Sequence, residues 1–502
     1  MQGNTHVQIV TGIALCLYAV LMIVIGISST KRAKSVEGFL LGSRKVGPWL
    51  TAFSYGTGYF SAVIFIGYAG QHGWNLGFSS MWIGIGNAFV GCLLSWLLLA
   101  KRTRETTQRI GAKTMPEFFE KKFGSTAMKV YAALVIFIFL VPYSAAVYKG
   151  LGSMFNVIFP GVAVWVIMLI IAVLSCIYLV LGGYVASSRT DFVQGVIMIG
   201  GVVAMVAVLL SHDKVGGITG AVEKLRVYGE ADGVNLLSVF GGSNSKALAT
   251  NILLTSIGTL GLPQMVSKYY AIRDAKSIKT ATWVATGFCL FIGIGAYLTG
   301  SLGRIFLDNQ MPAGGFDSVV PSTLLTALGD SNVFTTVILA VMLLLLLSAS
   351  MSTLSAIVLS SASAISVDLL PVFRPSHSKK GQMVLTRLLC LLFIALSFLF
   401  AVGNISFIVN IMSFSWGVVA GSFIGPFIWG VCSKIVTKAG AWCGLLSGVA
   451  VVGSLTIYKT LTVGFSAAIG NAATYGITAM AVSLLLTPLV SICTKGKELK
   501  SI

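Results

Sequence analysis

The sequence predicts an all-α integral membrane protein of about thirteen transmembrane helices, forming one domain over residues 1–502. Three observations predict it. Apolar residues make up 56% of the chain and charged residues 10%, and the mean hydropathy of +0.92 is far from the soluble average. Runs of about 20 apolar residues, enough to cross a bilayer core of about 30 Å, recur along the whole chain. They fall at roughly 7–29, 48–71, 78–100, 128–155, 161–182, 191–211, 247–268, 280–302, 334–366, 383–402, 405–430, 439–458 and 469–492. Finally, 27 of the 34 Lys and Arg lie on alternate connections between these spans, four of them with the connection after span 7. The opposite connections hold Lys214, Lys224, Arg226, Lys246, Arg304 and Lys459, and Lys149 falls inside a span. The positive-inside rule then sets the N-terminus outside and the C-terminus in the cytoplasm of a multi-pass cell-membrane protein. The net charge of +19 is explained by this distribution, so nucleic acid is not an expected partner.

Span 1 lacks a basic leader and a small-residue cleavage site, so it reads as a membrane helix and not as a cleavable signal. Span 2 carries Phe53-Ser54-Tyr55-Gly56-Thr57-Gly58-Tyr59-Phe60-Ser61-Ala62 at its middle. Span 7, five spans later, carries Ser256-Ile257-Gly258-Thr259-Leu260-Gly261-Leu262-Pro263-Gln264. Interrupted helices at matching positions of two halves mark an inverted-repeat transporter, and an odd offset makes the second half inverted. Core repeats over about 48–211 and 247–430 follow, with spans 1, 12 and 13 peripheral. Breaks of this kind leave carbonyls and half-helix ends where an ion and a solute bind.

In span 4, Lys149 has no acidic partner among the spans. Two readings stay open: its long stem snorkels to water, or it meets a substrate carboxylate. Asp191 opens span 6, either as an N-cap or as a lone carboxylate that draws Na+ out of its site. Span 9 contains the polar island Ser348-Ala349-Ser350-Met351-Ser352-Thr353-Leu354-Ser355 in an otherwise apolar run. Its hydroxyls either bond back to their own i−4 carbonyls or coordinate a hard cation.

All fifteen carboxylates, Asp330 among them, fall in or beside connections, which favours Na+ over H+ as a coupling ion. Eight scattered cysteines and four histidines (His6, His72, His212 and His377) near connections give no zinc, haem or disulfide pattern. The chain has neither a phosphate-binding loop nor a hydrolase triad, so no enzyme is expected.

Several stretches together resemble the sodium:solute symporter family, whose members include proline, pantothenate, monocarboxylate and sodium/glucose transporters. They are Gly42-Ser43-Arg44, Gly182-Gly183 with Thr190, Asp191, Val193 and Gln194, Gly261-Leu262-Pro263, Met351-Ser352-Thr353-Leu354 and Gly425-Pro426. The resemblance implies a leucine-transporter-like inverted repeat of five plus five helices. It also implies a Na+ site made of the carbonyls of Thr57, Phe60 and Ala349 and the hydroxyls of Ser352 and Thr353; the lone-carboxylate reading places Asp191 on the ion exit. Spacing agrees, because positions i, i+3 and i+4 share a helix face. Proline-transporting members carry an aspartate where this chain has Tyr59 and an aromatic gate where it has Thr259, which argues against proline and for a wider or differently closed pocket. The Lys149-Gly150-Leu151-Gly152 run is similar to one in monocarboxylate-type members. Tyr59, Ser61, Tyr143, Lys149, Thr259 and Gln264 are the candidate substrate-binding residues.

The expected function is Na+-coupled uptake of a small, carboxylate-bearing organic solute by alternating access, with sodium, the solute and the lipid bilayer as partners. No oligomer is implied. The alternative is a membrane-embedded sensor or channel on the same scaffold. The short tail Thr494–Ile502 offers no signalling domain, and no filter motif favours a channel.

Overall fold

The two interrupted spans shape the architecture. A computed structural model describes residues 5–30, 35–159, 161–328, 333–373, 379–403 and 406–498. Asp330, His377 and the tail residues 499–502 lie outside the described residues. Among those described, the regular structure is helical, with one isolated bridge between Val46 and Ile272. The main helices are α1 (Thr5–Ser29), α2 (Pro48–Tyr59), α3 (Thr126–Ile158), α4 (Val164–Ser211), α5 (Ser245–Gly258) and α6 (Pro263–Ala271). After them come α7 (Ala275–Phe306), the short α8 (Val319–Leu328), α9 (Val333–Ser363), α10 (Lys379–Val402), α11 (Ile408–Cys432), α12 (Lys438–Val463) and α13 (Ala472–Glu498). A helical run, Val63–Arg109, links α2 to the rest.

Ten helices among the described residues are long and apolar enough to cross a membrane. Thirteen predicted spans and ten long helices differ for a physical reason. Val63–Arg109 and α4 contain 47 and 48 residues, about 70 Å each at 1.5 Å per residue, or some two crossings. Meanwhile α2, α5 and α6 are each too short to qualify alone. The predicted connection 183–190 is itself helical: α4 runs through it with one bend at Gly183, where φ is +55°. A Cβ there would approach Phe39 to 2.6 Å, so glycine answers both the backbone and the packing demand.

Both predicted breaks are present. α2 ends at Tyr59, and Phe60 turns to φ −101°, ψ 118°. α5 gives way to a single turn over Thr259–Gly261, and Leu262 is extended at φ −82°, ψ 124°. Pro263 explains the second break, since it lacks an N–H and drives the residue before it out of the helical region. It then serves as the first residue of α6. Arg44, Arg104, Lys113 and Arg273 mark one end of the bundle, called the basic end below. There Val46 N–H donates to Ala271 O at 3.2 Å and Arg273 N–H to Val46 O at 3.0 Å, strapping the start of α2 to the end of α6.

Candidate ion and substrate site

Where α2 breaks, carbonyls lose their helical partners, and the polar island of α9 meets them. The Ser352 hydroxyl donates at 2.9 Å to the carbonyls of both Thr57 and Ala349. The Thr353 hydroxyl lies 3.2 Å from Gly58 O and 3.1 Å from Ala349 O. Ser350, beside them, accepts the Ala62 N–H at 3.0 Å. All of these residues are buried. Four of the five predicted ligands, Thr57, Ala349, Ser352 and Thr353, therefore converge. The fifth, Phe60, is buried at the break itself, and its carbonyl makes none of these contacts. The back-bonding reading of the island is seen, since Thr353 and Ser355 bond to their i−4 carbonyls, and Ser352 and Thr353 also reach across to α2. Neutral oxygens in this number suit a hard monovalent cation.

Of the candidate pocket residues, Tyr59 and Ser61 flank this break, Thr259 and Gln264 flank the one at Leu262, and Lys149 lies apart from both. Tyr59 donates its hydroxyl to Thr255 O at 2.7 Å. Thr259 donates to Gly91 O at 3.0 Å, and Tyr55 shares that acceptor at 2.7 Å. Gly91 permits this, because a Cβ would come within 2.1 Å of the Tyr59 hydroxyl. Ser61 accepts the Val63 N–H at 3.2 Å. Tyr143 packs edge-on to Trp416 with ring centroids 5.7 Å apart, and Tyr59 lies 6.4 Å from the same ring. Gln264, near the start of α6, is buried with its Oε1 lacking a partner among the described residues. Trp416 was not foreseen; the signal was Ser413-Phe414-Ser415-Trp416, a polar and aromatic interruption of span 11.

Two lysines correct the sequence reading. Lys149 does have a carboxylate: its Nζ is 3.1 Å from Asp317 and donates to Ser406 O at 2.5 Å. Asp317 stands on the turn before α8, far away in sequence, and also accepts the Ile408 N–H that begins α11. Burial pushes the Asp317 carboxyl up, and the Lys149 ammonium pulls it partly back. At the basic end, Lys268, counted above with a connection, is buried at 1% exposure. Its Nζ donates to Ser54 Oγ at 2.7 Å, and Ser54 donates to Asp191 Oδ2 at 2.5 Å. Asp191 is thus neither an N-cap nor a lone carboxylate. α4 is already helical over the seven residues before it, 184–190, and Lys268 supplies a counter-charge through one hydroxyl. Nor is it merely beside a connection, since Ser54 is only three residues from Thr57, about 4.5 Å of helix.

Helices broken in pairs around a cluster of neutral oxygens, in a bundle this apolar, define a secondary transporter. Residues 39–448 match the model of the sodium:solute symporter family, and the chain belongs to that family. It is a multi-pass membrane transporter and not an enzyme, and Na+ is its coupling ion. It is 29% identical over 464 residues to the osmoregulated proline transporter OpuE of Bacillus subtilis, covering 91% of this chain and 90% of that one. The high-affinity proline transporter PutP of the same organism is 29% identical over 438 residues, with 86% and 89% covered. In fold, the chain matches a Na+-coupled sialic acid symporter in its substrate-bound outward-open state, with TM-score 0.75, 17% identity and 96% and 97% covered. A nucleobase-cation-symport-1 family transporter in a closed conformation matches at TM-score 0.52, 16% identity and 90% and 95% covered.

Proposed function

We propose that this chain imports a small amino-acid-type solute, with proline the first to test, by coupling its entry to inward Na+ movement through alternating access. In this reading it crosses the cell membrane thirteen times, with its N-terminus outside and its basic end in the cytoplasm. Residues of about 48–211 and 247–430 form two inverted repeats, and α1, α12 and α13 are peripheral. Na+ is held by the carbonyls of Thr57, Phe60 and Ala349 and by the hydroxyls of Ser352 and Thr353. The observation that carries the ion site is the approach of Ser352 and Thr353 to the carbonyls of Thr57 and Gly58 across the break.

The solute reading rests on relatives named as proline transporters along about nine-tenths of their length. It is also supported by the lining: Tyr59, Tyr143 and Trp416 supply apolar walls, while Ser61, Thr259 and Gln264 supply polar groups. The N-terminal end of α6, whose dipole is positive, favours a carboxylate. Tyr59 and Thr259, standing where proline-transporting members have an aspartate and an aromatic gate, keep monocarboxylates and pantothenate-like solutes as competitors to be tried.

Purified chain in proteoliposomes tests both parts. Labelled proline uptake should require an inward Na+ gradient and be blocked by unlabelled proline. Equal uptake without Na+ would contradict the coupling. Na+-driven uptake of a monocarboxylate that proline does not inhibit would replace the solute and leave the coupling standing.

A further inference from the structure

A buried cation stands beside the way from the oxygen cluster to the basic end. Lys268 Nζ lies 5.0 Å over the Tyr184 ring in addition to its bond to Ser54. Asp191, reached through Ser54, keeps its Oδ1 buried and without a partner among the described residues. Next to Lys268 is a cavity of about 40 Å³ whose walls include Lys113, Tyr184, Ser267, Ala356 and Ser360. Ser352, Ala356 and Ser360 follow one another at four-residue spacing on α9, so they share a face. The cavity therefore continues, toward the basic end, the line on which the oxygen cluster lies. α2 and α6 are strapped together by the Val46–Ile272 bridge, whereas Asp191 rides on α4, which packs against α9. α2 also packs on α4, with the Phe53 and Phe192 rings 4.8 Å apart, and the Ser54–Asp191 bond adds a polar link between them.

The geometry points to Lys268 as a tethered cation that takes the place of Na+ at Asp191 and holds the way to the basic end shut until Na+ arrives. This rests on the reading that Na+ leaves the Thr57/Ser352 cluster toward that end. A buried carboxylate is costly without a counter-charge, and Lys268 provides one through Ser54. Because the contact goes through a single hydroxyl, Oδ1 remains available to a second cation. One carboxylate cannot compensate two buried cations. Na+ arriving at Oδ1 weakens the hold of Lys268, the α2–α6 pair parts from α4, and Na+ moves on into the cavity. When Na+ has gone, Lys268 returns and the closed form is restored. The ammonium stays charged throughout, so no proton is transferred.

The test compares Lys268→Met, Lys268→Arg and the pair Lys268→Met with Asp191→Asn. Each is made with a Ser360→Cys reporter in full-length protein in proteoliposomes. Removing the internal competitor should lower the Na+ concentration for half-maximal transport by about threefold or more in Lys268→Met, while Lys268→Arg stays within about twofold. In the charge-neutral pair, thiol labelling of the reporter from the basic side should become independent of Na+. This second readout serves even if Lys268→Met alone folds poorly. An unchanged or raised Na+ requirement in folded Lys268→Met overturns the proposal, and so does wild-type Na+ dependence of labelling in the neutral pair. The Ser352→Ala/Thr353→Ala variant separates the two layers. If it keeps normal Na+ dependence, the ion site itself is wrong; if it loses it while Lys268→Met is silent, only the tethered cation falls.

Discussion

Lys149 and Lys268 are both cations carried on apolar helices, and the bundle treats them differently. Lys149 is 15% exposed, lines a cavity of about 860 Å³ at the end opposite the basic one, and meets Asp317 directly. Lys268 is 1% exposed and reaches Asp191 only through the Ser54 hydroxyl. Beside a cavity that water can enter, a direct ion pair can still be parted, because the lysine freed from it can be hydrated. Where water is excluded, a direct pair would be hard to part, and an intervening hydroxyl leaves an exchangeable contact. Each contact ties separate elements together: α3 to the turn before α8, and the α2–α6 pair to α4.

The comparison breaks most visibly in stability. Asp191→Ala leaves Lys268 buried without its carboxylate, a change that costs about 3–5 kcal/mol in a fully buried pair. The hydroxyl bridge should keep the loss near the lower figure. Asp317→Asn should cost less, since Lys149 borders the larger cavity and keeps its bond to Ser406 O. Thermal unfolding in detergent checks the order, and an Asp317 effect as large as that of Asp191 would erase the distinction.

Next in size is the coupling between Lys149 and Asp317. If the two form a clasp, Lys149→Met and Asp317→Asn should change transport alike, and the double variant should add little, with a coupling of about 0.5–3 kcal/mol. A lysine that instead binds the substrate carboxylate would lower apparent affinity by about 10- to 150-fold, for a lost bond of roughly 1.5–3 kcal/mol. That loss would not be reproduced by Asp317→Asn. A neutral analogue of the solute gives the same discrimination, because only the substrate contact distinguishes it from the acid.

The smallest effect is on pH. The Asp317 carboxyl is raised by burial, so its pair with Lys149 is intact above that raised value and is lost as the pH falls through it. Acidification on the side that Asp317 faces should therefore imitate Asp317→Asn, and the Asp317→Asn variant should be indifferent to the same change. A pH response that survives in Asp317→Asn belongs to another group.

How much of this could be read in advance depended on the range of the contacts. The breaks at Phe60 and Leu262 were legible because Gly56, Gly58 and Pro263 act on their own neighbours. The α9 face was legible because Ala349, Ser352 and Thr353 are one turn apart, and the family resemblance named the carbonyls opposite them. Lys149 and Asp191 were noticed but mispartnered: Asp317 lies 168 residues from Lys149, and Ser54 lies 137 residues from Asp191. No periodicity links residues so far apart. Lys268 was missed for a related reason, since a lysine at the end of an apolar run looks the same whether it turns to water or into the bundle. The helical stretch through 183–190 was taken for a connection because Arg189 and Asp191 interrupt the apolar run, and burial among partners overrode that local polarity.

The proposed Na+ site is tested most directly by removing both of its hydroxyls. Ser352→Ala with Thr353→Ala keeps the helix and deletes two oxygens from a neutral cluster with few to spare. Na+ bound there predicts that half-maximal transport in proteoliposomes needs about tenfold more Na+ or worse, equivalent to about 1.4 kcal/mol. An unchanged Na+ requirement in the folded double variant would contradict the assignment.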